Sequence, residues 1–329
     1  MRAGAPPAGD ATDELESRSG PPIEVAHRQG AAAAAEGVAE SGAHRHPGTV
    51  QVVRRSHWGR WIGGAAASIF AAWVLYQILT NPGFQWEIVG KYMLDRAVLN
   101  GVRITCELTV LVMLVGAIIG VVLALLRLSA NPVLVVCANA YLWFFRGTPV
   151  LVQLVFWYNL AALFPEITLG VPFGGPKFFG VSSTVAITSF VAALLGLSLN
   201  EGAYMGEIIR AGILSVDPGQ AEAAKALGYR PMQSFRVVVL PQAMKAIVPP
   251  TGNQVIGMLK FTSLASIVAL QELMNSVESI YTRTFETIPL LIVAALWYLI
   301  LVSVLSVGQY FIERYYSKGW REIQLPVNA

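Results

Sequence analysis

The stretch Ile104 to Leu126, ITCELTVLVMLVGAIIGVVLALL, decides the fold. It is 23 residues long, and its only charge, Glu107, lies near one end. A helix needs about 20 mainly apolar residues to cross a hydrocarbon core of ~30 Å, and inside lipid the backbone can satisfy itself only in a helix or a closed barrel. The stretch therefore reads as a transmembrane helix. Four more stretches meet the same test: Trp61 to Leu79, Ser183 to Leu199, Ala246 to Leu270 and Ile288 to Ile312. A sixth, Val133 to Leu163, would be about 46 Å long as one straight helix, more than a bilayer requires. It is expected to break at Arg146-Gly147-Thr148-Pro149, where proline removes a backbone donor and glycine loosens the turn before it. Val133 to Phe145 would then lie obliquely while Val150 to Leu163 crosses.

Composition agrees with an all-α integral membrane protein of about six spans. Of 329 residues, 55% are hydrophobic and 13% charged, against about 25% charged in soluble proteins. An ordinary cytosolic enzyme and a secreted disulfide scaffold are both excluded. Residues 1–57 hold 13 of the 43 charged side chains and none of the 33 aromatic ones, and they read as a disordered tail. His27, His44, His46 and His57 lack ligand spacing, so no metal site is expected. Cys106 and Cys137 read as small buried hydrophobes.

Six crossings put both termini on one side. Twelve Lys and Arg flank the spans on the side of Arg54, Arg127, Arg210 and Arg314, and five flank them on the side of Lys91, Arg96, Arg103, Lys177 and Arg283. Since positive charge marks the cytoplasmic face, both termini and the segment 200–245 are placed in the cytoplasm of a cell-membrane protein. The expected organisation is a cytoplasmic tail at 1–57, an additional N-terminal transmembrane helix at 58–80, an extracytoplasmic segment at 81–103, a membrane domain at 104–316 and a cytoplasmic tail at 317–329.

Within the cytoplasmic segment, Asp217-Pro218-Gly219-Gln220 reads as a helix start, with Asp as N-cap, Pro in the first turn and Gln completing a capping box. Gly228 stands where a left-handed C-terminal cap is expected. Pro231 should open a second short helix that ends before Leu240-Pro241. Helix-turn-helix units also bind DNA, but a membrane tether and few bases on one face speak against nucleic acid.

The loop carries a pattern: Glu222-Ala223-Ala224, then Gly228, then Val238-Val239-Leu240-Pro241. This resembles the EAA loop of permease subunits of binding-protein-dependent ABC importers, with Val238 in place of the usual Ile. Flanking blocks are similar to the polar amino acid branch of this MetI-like fold family: Phe144-Phe145-Arg146-Gly147-Thr148-Pro149 with Gln153; Asn200-Glu201-Gly202-Ala203-Tyr204; and Lys260-Phe261-Thr262-Ser263-Leu264. Together they cover about Asn100 to Tyr316. The resemblance implies a five-helix importer core preceded by one extra helix. It also implies that Glu222, Ala223, Ala224, Gly228, Leu240 and Pro241 couple to a separate ATP-binding cassette subunit. Two copies of that subunit would carry ATP and Mg, beside a second permease subunit and an extracytoplasmic solute-binding protein that meets 81–103 and 164–182. Phe261 departs from the family, which is expected to have Asp or Asn there.

Charge is expensive at mid-bilayer, about 2.5–3.5 kcal/mol on insertion scales, so Arg146 and Lys260 draw notice. Arg146 either binds a substrate carboxylate, or snorkels and caps carbonyls freed at Pro149. Lys260 is open between structural pairing and the pathway. Gln153, Thr262 and Ser263 either line a polar path or join helices by hydrogen bonds. No phosphate loop, His/Glu metal motif or G-x-S-x-G elbow occurs, so no catalytic or metal site and no cofactor are expected on this chain. An ion-coupled secondary transporter would show carboxylates within the spans and an inverted repeat. A membrane enzyme or scaffold would show a catalytic cluster or a folded cytoplasmic domain.

Overall fold

The computed structural model describes residues 58–170 and 177–316; the expected tails at 1–57 and 317–329 lie outside the described residues. The chain divides into two compact units at Ala71/Ala72. Helix α1, Trp58–Thr80, carries 23 apolar-rich residues across that division. In the second unit, α2 (Trp86–Met93) leads to α3 (Arg96–Arg127), α4 (Pro132–Gly147) and α5 (Val150–Tyr158). A hairpin of β1 (Glu166–Gly170) and β2 (Lys177–Ser182), antiparallel, interrupts the helices. Then come α6 (Ser189–Leu214), α7 (Pro218–Ala226), α8 (Leu240–Phe261), α9 (Leu273–Thr284) and α10 (Thr287–Tyr316).

Among the described residues, α1, α3 and α10 are long and apolar enough to cross a bilayer singly, and two bent helix pairs bring the number to five. The expected crossing at Ser183 to Leu199 is interrupted: Ser183–Ala186 is a separate short turn, and only from Ser189 does the chain enter α6, which continues to Leu214 through Glu201, Glu207 and Arg210. The segment 81–103 is ordered as α2 and the first two turns of α3. Asp95 caps α3 by accepting from Ala97 N at 2.8 Å, and Trp297 Nε1 donates to Met93 O at 2.9 Å.

The body is built around α3 and α6. Gly116 and Gly120 on one helix face Gly202 and Gly206 on the other, each pair four residues apart and so on a single helix face. The approach is backbone-close: a Cβ on Gly120 would stand 2.9 Å from Gly206 N, and one on Gly202 would stand 2.5 Å from Ile119 Cγ2. Leu108, Val112, Leu154, Leu197 and Met258 pack around this seam. A second core joins Val89 and Val98 to Leu273, Val277, Leu290 and Val293 at the α2, α9 and α10 end.

The break expected at Arg146 to Pro149 is present: α4 and α5 meet at 99°. The part beyond it differs from expectation. Val150 to Leu163 is not one crossing helix. It is nine residues of α5 followed by a single turn at Leu160–Leu163, with Asn159 between them donating both its backbone N–H and its side-chain amide to Val155 O, at 3.0 and 2.8 Å. The second short helix of the 200–245 segment also fails to stop before Leu240-Pro241. After Pro231–Ser234 the chain widens into a π-helical turn, Phe235–Val239, and runs on into α8. Leu240 N bonds back to Phe235 O across that turn, a wider ring that lets the helix absorb a proline without ending. Cys106 is half-buried and Cys137 is exposed on α4, which corrects the expectation of two buried thiols. Lipid is the solvent for an outward apolar face, so burial inside the protein is not what apolar sequence specifies here.

Candidate functional site

The first site is the 217–241 loop. Asp217 Oδ1 accepts from Gly219 N at 2.7 Å and starts α7 as the sequence implies. Gln220 does not close a box. Its Oε1 instead accepts from Gln242 Nε2 at 3.3 Å and ties α7 to the start of α8. At the other end Gly228 has φ +83°, the left-handed conformation that glycine adopts without a Cβ penalty. Gly228 N donates to Lys225 O at 3.0 Å and Tyr229 N to Ala224 O at 3.1 Å, the paired bonds of a Schellman cap. The next short helix is opened by a single capping bond, Arg230 N donating to Gln233 Oε1 at 3.0 Å.

Both ends of α7 are thus fixed while its outer face stays open. Ala224 is buried against the loop; Glu222, Ala223 and Lys225 are exposed. Among the described residues Glu222 and Lys225 have no ion-pair partner, so they are not the surface pair that their three-residue spacing allows. Leu227 is 80% exposed, Met232 60% and Val237 61%.

The second site is a cavity of about 450 Å³ between the α4–α5 break, α6 and α8. Arg146, Asn200, Glu201, Tyr204 and Gln254 give it a polar lining, and Val150, Leu197, Met258 and Phe261 an apolar one. The guanidinium of Arg146 stacks over the Tyr204 ring, 5.3 Å from its centroid. It does not cap the carbonyls freed at Pro149. Gln153 and Asn200 do that, donating to Phe145 O at 3.1 and 2.7 Å. Gln153 is buried and spends its amide on the backbone and on Thr148 Oγ1.

Glu201 lies two residues beyond the span expected at Ser183 to Leu199. It sits inside α6, 3% exposed, and accepts from Gln254 Nε2 at 3.2 and 3.3 Å. Gly116 makes room for it: a Cβ there would meet Glu201 Cγ at 2.8 Å. Lys260 is exposed and outside the cavity lining. Thr262 and Ser263 turn their hydroxyls back onto Leu259 O and Lys260 O, each at 2.7 Å, where α8 tightens into a 3₁₀ turn at Thr262–Val268. The structure therefore brings Arg146 together with Glu201, Asn200, Tyr204 and Gln254, and leaves Lys260, Thr262 and Ser263 apart from them. Asn200, Glu201 and Tyr204 share a helix face by their spacing, a pattern visible in the sequence once α6 is allowed to continue past Leu199. Among the described residues no group of His, Cys, Asp and Glu side chains is arranged to hold a metal ion.

Residues 116–318, more than half of the chain, match the family described as binding-protein-dependent transport system inner membrane component. The chain belongs to this family. The permease is 42% identical over 274 residues to the arginine transport system permease protein ArgU of Corynebacterium glutamicum, covering 83% of this chain and 85% of that protein. It is 34% identical to the probable amino-acid permease protein YxeN of Bacillus subtilis, covering 68% and 92%. A crystal structure of an amino acid ABC transporter with histidines aligns with TM-score 0.56 at 33% identity, over 67% of the permease and 94% of that chain. The inward facing MetNI methionine ABC transporter, at TM-score 0.53 and 20% identity, shares the fold. The permease is a multi-pass membrane protein of the MetI-like fold.

Proposed function

We propose that this permease forms the translocation pathway for a polar amino acid and is driven by a separate ATP-binding subunit docked on the 217–241 loop. The observation that carries the reading is α7: a nine-residue helix, capped at both ends and exposed along its outer face. Such a helix, about 13 Å long, acts as a stiff lever, with Glu222, Ala223 and Ala224 on it, Gly228 at its reversal, and Leu240 and Pro241 opening α8 beyond the π turn. Exposed Leu227, Met232 and Val237 supply apolar area for a partner. ATP and Mg belong to that partner, two copies of which would serve two permease subunits, identical or paralogous. A solute-binding protein would deliver cargo at the opposite face, and both termini would be cytoplasmic.

The amino acid assignment leans on the relatives, whose names include an arginine and a glutamine transport system permease, and on the cavity. A cation at Arg146 and a carboxylate at Glu201 suit the opposite charges of a zwitterion, and about 450 Å³ falls within the usual range of ligand sites. Of the residues expected along the path, Arg146 is the one placed at the cavity; Gln153, Thr262 and Ser263 act by holding backbone. Glu201 is a carboxylate of the kind an ion-coupled transporter would show. Membership of the family and the exposed α7 favour ATP drive.

The test is purification of the tagged permease from cells that express the neighbouring transport subunits. The ATP-binding subunit should co-purify, and ATP-dependent uptake of labelled arginine or glutamine should fall when Gly228→Trp is introduced. Absence of the subunit together with full uptake by Gly228→Trp overturns the reading.

A further inference from the structure

Two cavities meet at one pair of side chains. The cavity holding Glu201 and Gln254 has a neighbour of about 460 Å³ that reaches Arg127, Asn139, Trp143 and Glu207, toward the end of the body where Arg127 closes α3. Both are lined by Arg146, Gly147 and Tyr204. The stacked Arg146 and Tyr204 therefore border both spaces.

We propose that Tyr204 is a positioning residue: its ring parks the Arg146 guanidinium as a partition between the two cavities, and the carboxylate of an incoming amino acid opens it by drawing Arg146 off the ring. The proposal rests on the reading that these cavities lie on the cargo path. Three features support it. First, Arg146 has no ion-pair partner among the described residues. Glu207 is committed to Arg127 and Arg210, and Glu201 is held by Gln254. Second, a guanidinium binds a carboxylate through paired charge-assisted hydrogen bonds, a stronger contact than stacking on a ring, so cargo can displace the ring where water does not. Third, the backbone beneath is fixed while the side chain is not. Gln153 and Asn200 pin Phe145 O, whereas Arg146 and Gly147 are exposed, and a Cβ on Gly147 would meet nothing within 4 Å. A snorkelling arginine, by contrast, would be indifferent to the ring at position 204.

The test uses the whole importer, permease with its ATP-binding and solute-binding partners, in proteoliposomes. With Cys106→Ser and Cys137→Ser as background, Val150→Cys reports on the inner cavity. Its labelling rate by a membrane-impermeant maleimide is read from the Arg127 face without ATP. Tyr204→Leu should raise that rate about two- to fivefold, the scale expected for loss of an exposed cation–π contact, while Tyr204→Phe, which keeps the ring, should leave it unchanged. Added arginine or glutamine should raise the rate with Tyr204 in place, and agmatine, which is arginine without its carboxylate, should not. Equal rates for Tyr204 and Tyr204→Leu overturn the partition, whatever the vesicles take up. An agmatine response equal to that of arginine overturns the carboxylate trigger. Absence of ATP-driven uptake for every amino acid tested overturns the transport reading instead, and the labelling comparison still decides the partition.

Discussion

Gln153 Nε2 donates to Phe145 O at 3.1 Å, and Phe145 is the residue whose helical partner four positions on is Pro149. Proline has no N–H to give, so a carbonyl inside the membrane body would be left unpaired, a cost of several kcal/mol in lipid. Gln153 from α5 and Asn200 from α6 replace the missing donor together. The bend that opens the cavity is thereby stitched to the helix that lines its far side.

Removing one stitch should cost less than removing both. Gln153→Leu or Asn200→Leu alone leaves the carbonyl one donor, and each is expected to cost about 1 kcal/mol. The double variant strands the carbonyl and should cost more than the sum by about 0.5–3 kcal/mol, as for residues sharing one partner. Apparent unfolding midpoints of the four proteins in one detergent close the cycle. A double variant that costs less than the sum would show that the two amides are coupled by their own contact, Asn200 Nδ2 to Gln153 Oε1 at 3.4 Å, and not by the shared carbonyl.

The α3–α6 seam makes a second prediction. At Gly202 an added Cβ would stand 2.5 Å from Ile119 Cγ2 and at Gly120 2.6 Å from Met205 Cβ, whereas at Gly257 in α8 it would meet nothing within 4 Å. Gly202→Val and Gly120→Val should each destabilise by about 1–3 kcal/mol or more through overpacking. Gly257→Ala should be neutral or gain up to about 1 kcal/mol, since alanine costs less backbone entropy in a helix. Thermal unfolding in detergent separates the two classes, and equal losses at 202 and 257 would deny the close approach.

Which features could be read in advance follows from how local their causes are. The break at Pro149, the Asp217 cap and the Gly228 reversal depend on one or two residues and their immediate chain neighbours, so the sequence displays them. The depth of Glu201 does not work that way. It depends on Gly116 of another helix leaving space and on Gln254 of a third supplying a donor, and hydropathy along α6 registers only the polar letters Asn200 and Glu201. Gln153 reads equally as pathway or glue until the carbonyl that it meets is known. The continuation through Leu240-Pro241 was hidden for a related reason: a π turn is a response to a proline, and nothing at the proline announces it.

Gly228 supplies a prediction about backbone rather than space. With φ +83° and nothing within 4 Å of a would-be Cβ, substitution meets no neighbour, only the left-handed conformation. Gly228→Val should cost about 1–2 kcal/mol and loosen the end of α7, while Gly228→Asn should be milder because asparagine enters that region more readily. Hydrogen exchange of the α7 amides should therefore rank Gly228 below Gly228→Asn and Gly228→Val fastest. If all three exchange alike, the reversal does not hold the helix.

Glu272 is fully buried and holds three helices at one point. Its carboxylate accepts from Met274 N at 2.9 Å and Asn275 N at 2.8 Å at the start of α9, from Tyr298 Oη of α10 at 3.0 Å, and from Thr105 Oγ1 of α3 at 3.5 Å. Each oxygen faces at least one donor, so an isosteric amide cannot satisfy both sides: Glu272→Gln points an N–H at another N–H and should cost about 1–3 kcal/mol. Tyr298→Phe removes one donor and leaves that oxygen two others, with an expected cost of about 1 kcal/mol. Glu272→Ala strips all of them and leaves a cavity, and should cost the most, beyond about 3 kcal/mol. Apparent unfolding midpoints in one detergent should follow that order. A Glu272→Gln protein as stable as the original would mean that these donors do not hold the carboxylate.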